Sequence, residues 1–274
     1  MKEFLIMYLI WKRIIKLVIS LIFLLIRECV YFIYRISGKR NYGSFVILYY
    51  HEILLEQRKK FAAQMKILSS MVKPVSIEFD GIICNGDKYA SITFDDAFQS
   101  IIENGLEVLL RFKIPITIFV PTAYLGQHPG WEVGNNRYLF DQKIITEEQL
   151  KDLDNTSVTI ASHTHTHPHL NNLDHITIKE ELVTSKAILE DITGKKIELL
   201  AFPYGAYNRL AIDIAKESGY KHVYKVTPDI SYRDDNFIIG RVSVSPDDLL
   251  LEFKLKIIGC YNWAAIINSI KKLF

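Results

Sequence analysis

Four of the chain's eight histidines fall within one short stretch, ASHTHTHPHL: His163, His165, His167 and His169. On a helical turn His163 and His167 share a face and His165 points away. In an extended segment His163, His165 and His167 share one face instead. A second cluster, TFDDA, places Asp95 and Asp96 directly after an apolar run. Neighbouring carboxylates repel, so both can stay ionised at a buried site only beside a cation. One carboxylate and two imidazoles make three ligands and leave a position open for water, which is the composition of a catalytic zinc site. Bound water loses its proton more easily there, and the metal polarises a substrate carbonyl. Taken singly, a histidine run is also a solvated loop and an Asp pair is also a cap. Together they point to a metal-dependent hydrolase.

These groups need elements to position them. SFVILYYHE reads as a buried strand ending at His51, and YASITFDDA as a strand running into a turn. IPITIFVPT, SVTIAS, IELLAFPYG, YKHVYKV and FIIGRVSV are further strands. Helical spacing marks EQRKKFAAQMKILSSM, FQSIIENGLEVLLRF, NRLAIDIAKESG and ITIKEELVTSKAILEDITG, the last stopped by Gly194. TEEQLKDL opens with a capping box between Thr146 and Gln149. Residues 126–136, which include Trp131, are loop-like. Strands alternating with helices give an α/β fold with a parallel sheet and crossovers, for which a barrel is one closure. Working residues gather where such strands end. Four strand ends carry polar groups: His51, the pair Asp95 and Asp96, residues 163–167, and Tyr204.

TFDDA, SHTHTHPHL and FPYGAYN, in this order and at these distances, resemble the motifs of the polysaccharide deacetylases, carbohydrate esterase family 4. The resemblance covers roughly residues 45–244. It implies a distorted (β/α) barrel that removes acetyl groups from N-acetylated sugars with a divalent metal, zinc first, with cobalt, nickel or manganese as other occupants. It implies Asp95 as general base and Asp96, His163 and His167 as metal ligands. Tyr204, after Pro203, would give its backbone N–H to the tetrahedral oxyanion. Two positions depart from the pattern. Many members carry an arginine that holds the base where this chain has Ala201, and no histidine follows His222 to protonate the leaving amine. LYYHE, however, resembles the first-strand motif of a permuted branch, the poly-N-acetylglucosamine deacetylases, which implies His51 as the acid. An acid is needed because an amide anion is a very poor leaving group. Arg241, in IIGRVSV, is the expected replacement for the missing arginine. Trp131, Tyr50, Tyr138 and Tyr204 are candidates to stack on sugar rings, although core packing accounts for aromatics equally well.

The bulk composition is compatible with this. At 274 residues and 49% hydrophobic, the chain can bury a sizeable core, and a net charge of +2 gives no electrostatic footprint for nucleic acid. Cys29, Cys84 and Cys260 are odd in number and far apart, so they form no disulfide framework. Residues 1–40 differ in kind: nearly all apolar, broken by Lys12, Arg13, Lys16, Arg27 and Glu28. The longest uncharged run, residues 17–26, is shorter than a span of about 20 residues. The segment is too long and too charged inside for a simple cleaved signal peptide. Lys2, Lys12, Arg13, Lys16, Ser20, Arg27 and Arg35 fall within about half of a helical wheel. The expectation is a membrane-associated helix lying in the interface or inserted obliquely. A spanning anchor and a core helix are the alternatives, and basic residues on both sides leave its orientation unassigned. Residues 43–250 then form the catalytic domain. Residues 251–274, ending in YNWAAIINSIKKLF, form an amphipathic tail. The expected function is an N-deacetylase of a polymeric or lipid-linked acetamido sugar at the bacterial cell envelope. A deformylase of a lipid-linked amino sugar, or an inactive carbohydrate-binding protein on the same fold, are the alternatives.

Overall fold

Strands form where the apolar runs are. The computed structural model describes residues 2–37, 43–81, 83, 86–131, 141–153, 157–229 and 236–271, so Tyr138 and Cys84 lie outside the described residues. β1 (Ser44–Tyr50) lies beside β3 (Lys88–Phe94), to which β2 (Lys73–Pro74) adds a short edge. β4 (Ile116–Val120), β5 (Val158–Ser162), β6 (Leu199–Ala201) and β7 (His222–Lys225) follow in spatial order, all parallel. The sequence suggests a single last strand over FIIGRVSV, but this segment divides at Arg241. β8 (Ile238–Gly240) pairs with β7, whereas β9 (Val242–Ser243) pairs with β1. Arg241 N–H still donates to the Lys225 carbonyl at 3.1 Å, while Val244 N–H donates to that of Tyr49 at 3.0 Å. One short segment changes neighbours midway and closes the sheet into a nearly complete barrel, the expected α/β architecture.

Alternation along each strand sorts side chains into two layers. Phe45, Ile47, Phe119, Ala161, Ala201 and Tyr224 cluster in the lumen. Val46, Leu48, Ile92, Ile118, Leu200 and Val223 face outward into the core beneath the helices. Both faces are therefore apolar, which is why the strands are continuous hydrophobic runs rather than alternating ones. The inward parity, continued past the strand ends, reaches His51, Asp95 and His163, and at the closing seam Arg241.

The crossover helices largely follow their sequence signals. Thr146 and Gln149 bond reciprocally at 3.2 and 2.9 Å to start Glu147–Leu153. Asp174 caps His175–Thr193 by accepting from Thr177 N–H, and Gly194 ends it at φ 67°, where a side chain would be strained. The helix after β3 differs from its expected regular course. It opens as a π-helical turn, Ile101–Leu106, before the α-helical Glu107–Arg111. The loop after β1 packs against that turn: Asn104 donates to the Ile53 carbonyl at 2.8 Å, and a Cβ on Gly105 would lie 2.4 Å from the Ile53 side chain. The wider turn makes room for that loop.

The seam itself tolerates no side chain at Gly240. A Cβ there would stand 2.4 Å from the Thr227 carbonyl oxygen and 2.5 Å from the Asp229 nitrogen, both backbone atoms. Gly240→Ala is expected to lower the melting temperature by roughly 5 °C, measured by thermal unfolding followed by circular dichroism.

Candidate active site

Asp95 ends β3 at the mouth of the lumen and is held from the side by Arg241. The guanidinium makes two parallel bonds to the carboxylate, Nη1 to Oδ1 at 2.6 Å and Nη2 to Oδ2 at 2.8 Å. Nη1 also donates to Thr93 Oγ1 at 3.1 Å, and that hydroxyl donates to the Leu48 carbonyl at 3.0 Å. Arg241 is fully buried, its guanidinium 4.7 Å from the Tyr49 ring centre and 5.0 Å from that of Phe119. Burial pushes the Asp95 carboxyl up, but Arg241 outweighs it with help from His163, so the acid is held below its ordinary value. Ala201 occupies an inward position on β6 within the same lumen cluster.

Beside this pair, Asp96, His163 and His167 bring one ligand atom each to within 4.8 Å of one another. Asp96 Oδ1 lies 3.5 Å from His163 Nε2 and 3.1 Å from His167 Nε2. His163 Nδ1 bonds the Ala201 carbonyl at 2.9 Å, which selects the tautomer with Nε2 bare toward Asp96. Asp96 Oδ1 is buried and has no partner of hydrogen-bond geometry, even with the imidazole 3.1 Å away. A buried carboxylate oxygen left in this state fits a cation that completes it, and two imidazoles with a carboxylate suit zinc. Burial raises the Asp96 carboxyl, but the two imidazoles more than reverse this and hold it far below the usual range. Burial holds His167 below its ordinary value, which keeps the imidazole neutral, as ligation requires.

The loop that presents the histidines is under backbone strain and is fixed from behind. Thr164 and His167 adopt φ of 67° and 59°, and Asp96 and Ala97 adopt 67° and 53°, conformations that cost about 1–3 kcal/mol each in non-glycine residues. Glu181, buried on the helix His175–Thr193, accepts from His165 N–H at 2.9 Å, Thr166 N–H at 2.8 Å and Thr166 Oγ1 at 2.5 Å. Thr164 Oγ1 accepts from His167 N–H at 3.1 Å. His165 turns away, its Nδ1 2.9 Å from Thr122 Oγ1. Sequence reasoning did not find Glu181. A charged residue at a position where helix periodicity expects the buried face was the available signal.

The other expected residues separate into near and far. Tyr204, at φ 57° in the turn Pro203–Gly205, sets its ring 4.7 Å from His167 and stacks on His169 at 4.0 Å. Trp131 stacks on His167 at 4.3 Å. His51 ends β1 and contributes to lowering both Asp95 and Asp96, which puts it within electrostatic reach of each. Tyr50 is not at the site. It is fully buried on the outward face, donating to Gln64 at 2.9 Å and stacked on Phe94, because its even position on β1 points away from the lumen.

Two substitution sets test this arrangement by zinc titration calorimetry. His163→Ala is expected to weaken zinc binding by at least about tenfold, while His165→Ala stays near wild type. Glu181→Ala is expected to weaken it about tenfold as well. Glu181→Gln should restore it, because an amide can accept both N–H groups and still bond Thr166 Oγ1.

The comparisons with known proteins agree with this geometry. The polysaccharide deacetylase family model matches residues 83–223. YxkH of Bacillus subtilis, named for the same family, is 28% identical over 212 residues, 73% of this chain and 71% of that one. The poly-β-1,6-N-acetyl-D-glucosamine N-deacetylase of Staphylococcus aureus is 27% identical over 168 residues, 57% of this chain. This chain spans about half, 54%, of that relative's length. Among solved structures, IcaB from Ammonifex degensii superposes with a TM-score of 0.64 at 23% identity, covering 82% of this chain and 98% of that one. A de-N-acetylase from Aggregatibacter actinomycetemcomitans superposes at 0.63 and 17% identity, covering 77% and 98%. The structures establish a shared barrel, the family match takes in both the TFDDA and the histidine segments, and the chain therefore belongs to the polysaccharide deacetylase family.

Proposed function

We propose that this chain is a metal-dependent hydrolase that removes the acetyl group from an acetamido sugar, polymeric or lipid-linked, at the bacterial cell envelope. The observation that carries the reading is the doubly bonded Asp95 beside Asp96, His163 and His167, whose buried carboxylate oxygen lacks a hydrogen-bond partner. Asp96, His163 and His167 hold the ion, zinc by the chemistry of the donors. When bound, such an ion supplies Lewis acidity to the reacting amide and to water. Asp95 accepts the proton of the attacking water, and Arg241 keeps the carboxylate ionised and aimed. The Tyr204 backbone N–H is assigned to the developing oxyanion. His51 delivers a proton to the nitrogen as the carbon–nitrogen bond breaks, so that an amine leaves instead of an amide anion. The Trp131 and Tyr204 rings lie against His167 and suit the apolar face of a sugar ring.

The same groups would hydrolyse a formamide. Acetyl is favoured because the staphylococcal relative is named as an N-acetylglucosamine polymer N-deacetylase. A binding protein with no catalysis is disfavoured by the complete set of base, ligands and clamp. The apolar α1 (Lys2–Ile36) supports membrane association of the whole chain.

Acetate release from N-acetylglucosamine oligomers, with zinc or cobalt and then with a chelator, checks the reaction. Wild type should release acetate only with metal, and Asp95→Asn should lose at least about a hundredfold in kcat. Release by Asp95→Asn at the wild-type rate would sink the assignment. Arg241→Ala is expected to lose a similar factor, and Ala201→Arg in that background to recover part of it, since position 201 faces the same lumen.

A further inference from the structure

The outside of the barrel carries an inverted amphipathic helix. Arg13, Ser20 and Arg27, spaced seven residues apart along α1, form a polar stripe that faces the protein. Arg13 Nε donates to Glu252 at 2.7 Å and its Nη2 to the Asp247 carbonyl at 2.8 Å. Trp263 Nε1 donates to the fully buried Ser20 Oγ at 2.8 Å, and Arg27 donates to the Ile258 carbonyl. Leu17 and Leu24 pack between these contacts. The opposite face carries Trp11, Ile14, Val18, Ile22, Leu25 and Ile33, all exposed. A helix of a water-soluble domain turns its apolar side inward. Here the protein takes up the polar stripe except for Arg27 Nε, and the apolar side is left outside, which matches hydrocarbon as the surrounding medium. Lys12 and Lys16, one turn apart and exposed, border the apolar arc, where the phosphates of a phospholipid surface would meet them. The exposed run Leu249, Leu250 and Leu251, between the groups that hold Arg13, extends the apolar surface.

By length and composition Ile10–Ile36 could cross a bilayer. The docking contacts conflict with that. Any span of about 20 residues within this stretch contains both Ser20 and Arg27. The pinned part between Arg13 and Arg27 runs about 21 Å along the barrel. Crossing would draw Trp263 and Ile258 into the hydrocarbon or break the bonds that tie Ser20 and Arg27 to them, leaving the Arg27 guanidinium there without its partner on the barrel. We infer that α1 lies in the plane of a phospholipid bilayer, strapped to the barrel by its polar stripe, and does not cross it. This rests on the membrane association proposed above.

The test uses the full chain with its native cysteines replaced by alanine, carrying either Glu3→Cys or Ser37→Cys, bound to sealed vesicles of phosphatidylglycerol and phosphatidylethanolamine. A membrane-impermeant maleimide is added outside. Expected is sedimentation with the vesicles and labelling of both positions to within about twofold of their detergent-solubilised values. Labelling of only one position, with the other protected until detergent is added, would mean a crossing helix and overturn the inference. Protein that stays in the supernatant would overturn it by removing the membrane association itself, an outcome separable from the first.

Discussion

A buried ion pair organises this protein. Arg241 is wholly removed from water, and so nearly is Asp95. Taking two charges into a barrel lumen carries a desolvation penalty of several kcal/mol per ion, offset only when geometry and additional bonds are favourable. Here both carboxylate oxygens are bonded, Thr93 relays one guanidinium nitrogen to the β1 backbone, and aromatic rings pack against a guanidinium whose Nε has no hydrogen-bond partner. The pair also links β3, across β1, to the seam. Arg241 sits at the residue where the last strand leaves β7 for β1, so the side chain that holds Asp95 comes from the point where backbone pairing closes the barrel. The lumen's small residues belong to the same economy of space. Ala161 and Ala201 leave room that the Arg241 side chain and the rings of Phe119 and Tyr224 fill.

Around that pair, two of the proposed ligand residues and two of their neighbours are held in conformations that no local preference would select. Asp96, Thr164, His167 and Tyr204 all lie in the left-handed region without being glycine. Strain of this kind persists where the surroundings over-determine the backbone. The surroundings here are Glu181 and Thr164 behind the histidine loop, Ala201 behind His163, and His169 against Tyr204. The helix His175–Thr193 thus braces the candidate site from behind.

Much of this was legible in the residues. Strand-end polar groups, the Thr146 cap and the Gly194 stop are local signals with local physics, and they hold in the structure. What was hidden is non-local. Nothing within FIIGRVSV says that one half pairs with the seventh strand and the other half with the first. Nothing in IIENGL announces a π turn, and the residue it packs against, Ile53, lies far earlier in the chain. Tyr50 and Trp131 looked alike as sugar-stacking aromatics; strand parity sends one into the core and a loop brings the other to His167. The wheel of α1 showed its basic residues on one side, yet only the fold reveals that Arg13, Ser20 and Arg27 face protein while Lys12, Lys16 and Arg35 stay exposed.

The divided last strand has a consequence for how the protein is made. A ribosome releases the strands in order, and Arg241 stands 146 residues after the base it clamps. Until that segment emerges, the lumen lacks its final stave and Asp95 faces no guanidinium. From His167, the last of the proposed ligands, to Arg241 the nascent chain therefore carries His51, Asp95 and all three ligand residues without a completed site. The proposed chemistry then depends on a segment made late, so chains that stop before Arg241 are expected to be silent although they hold every proposed ligand.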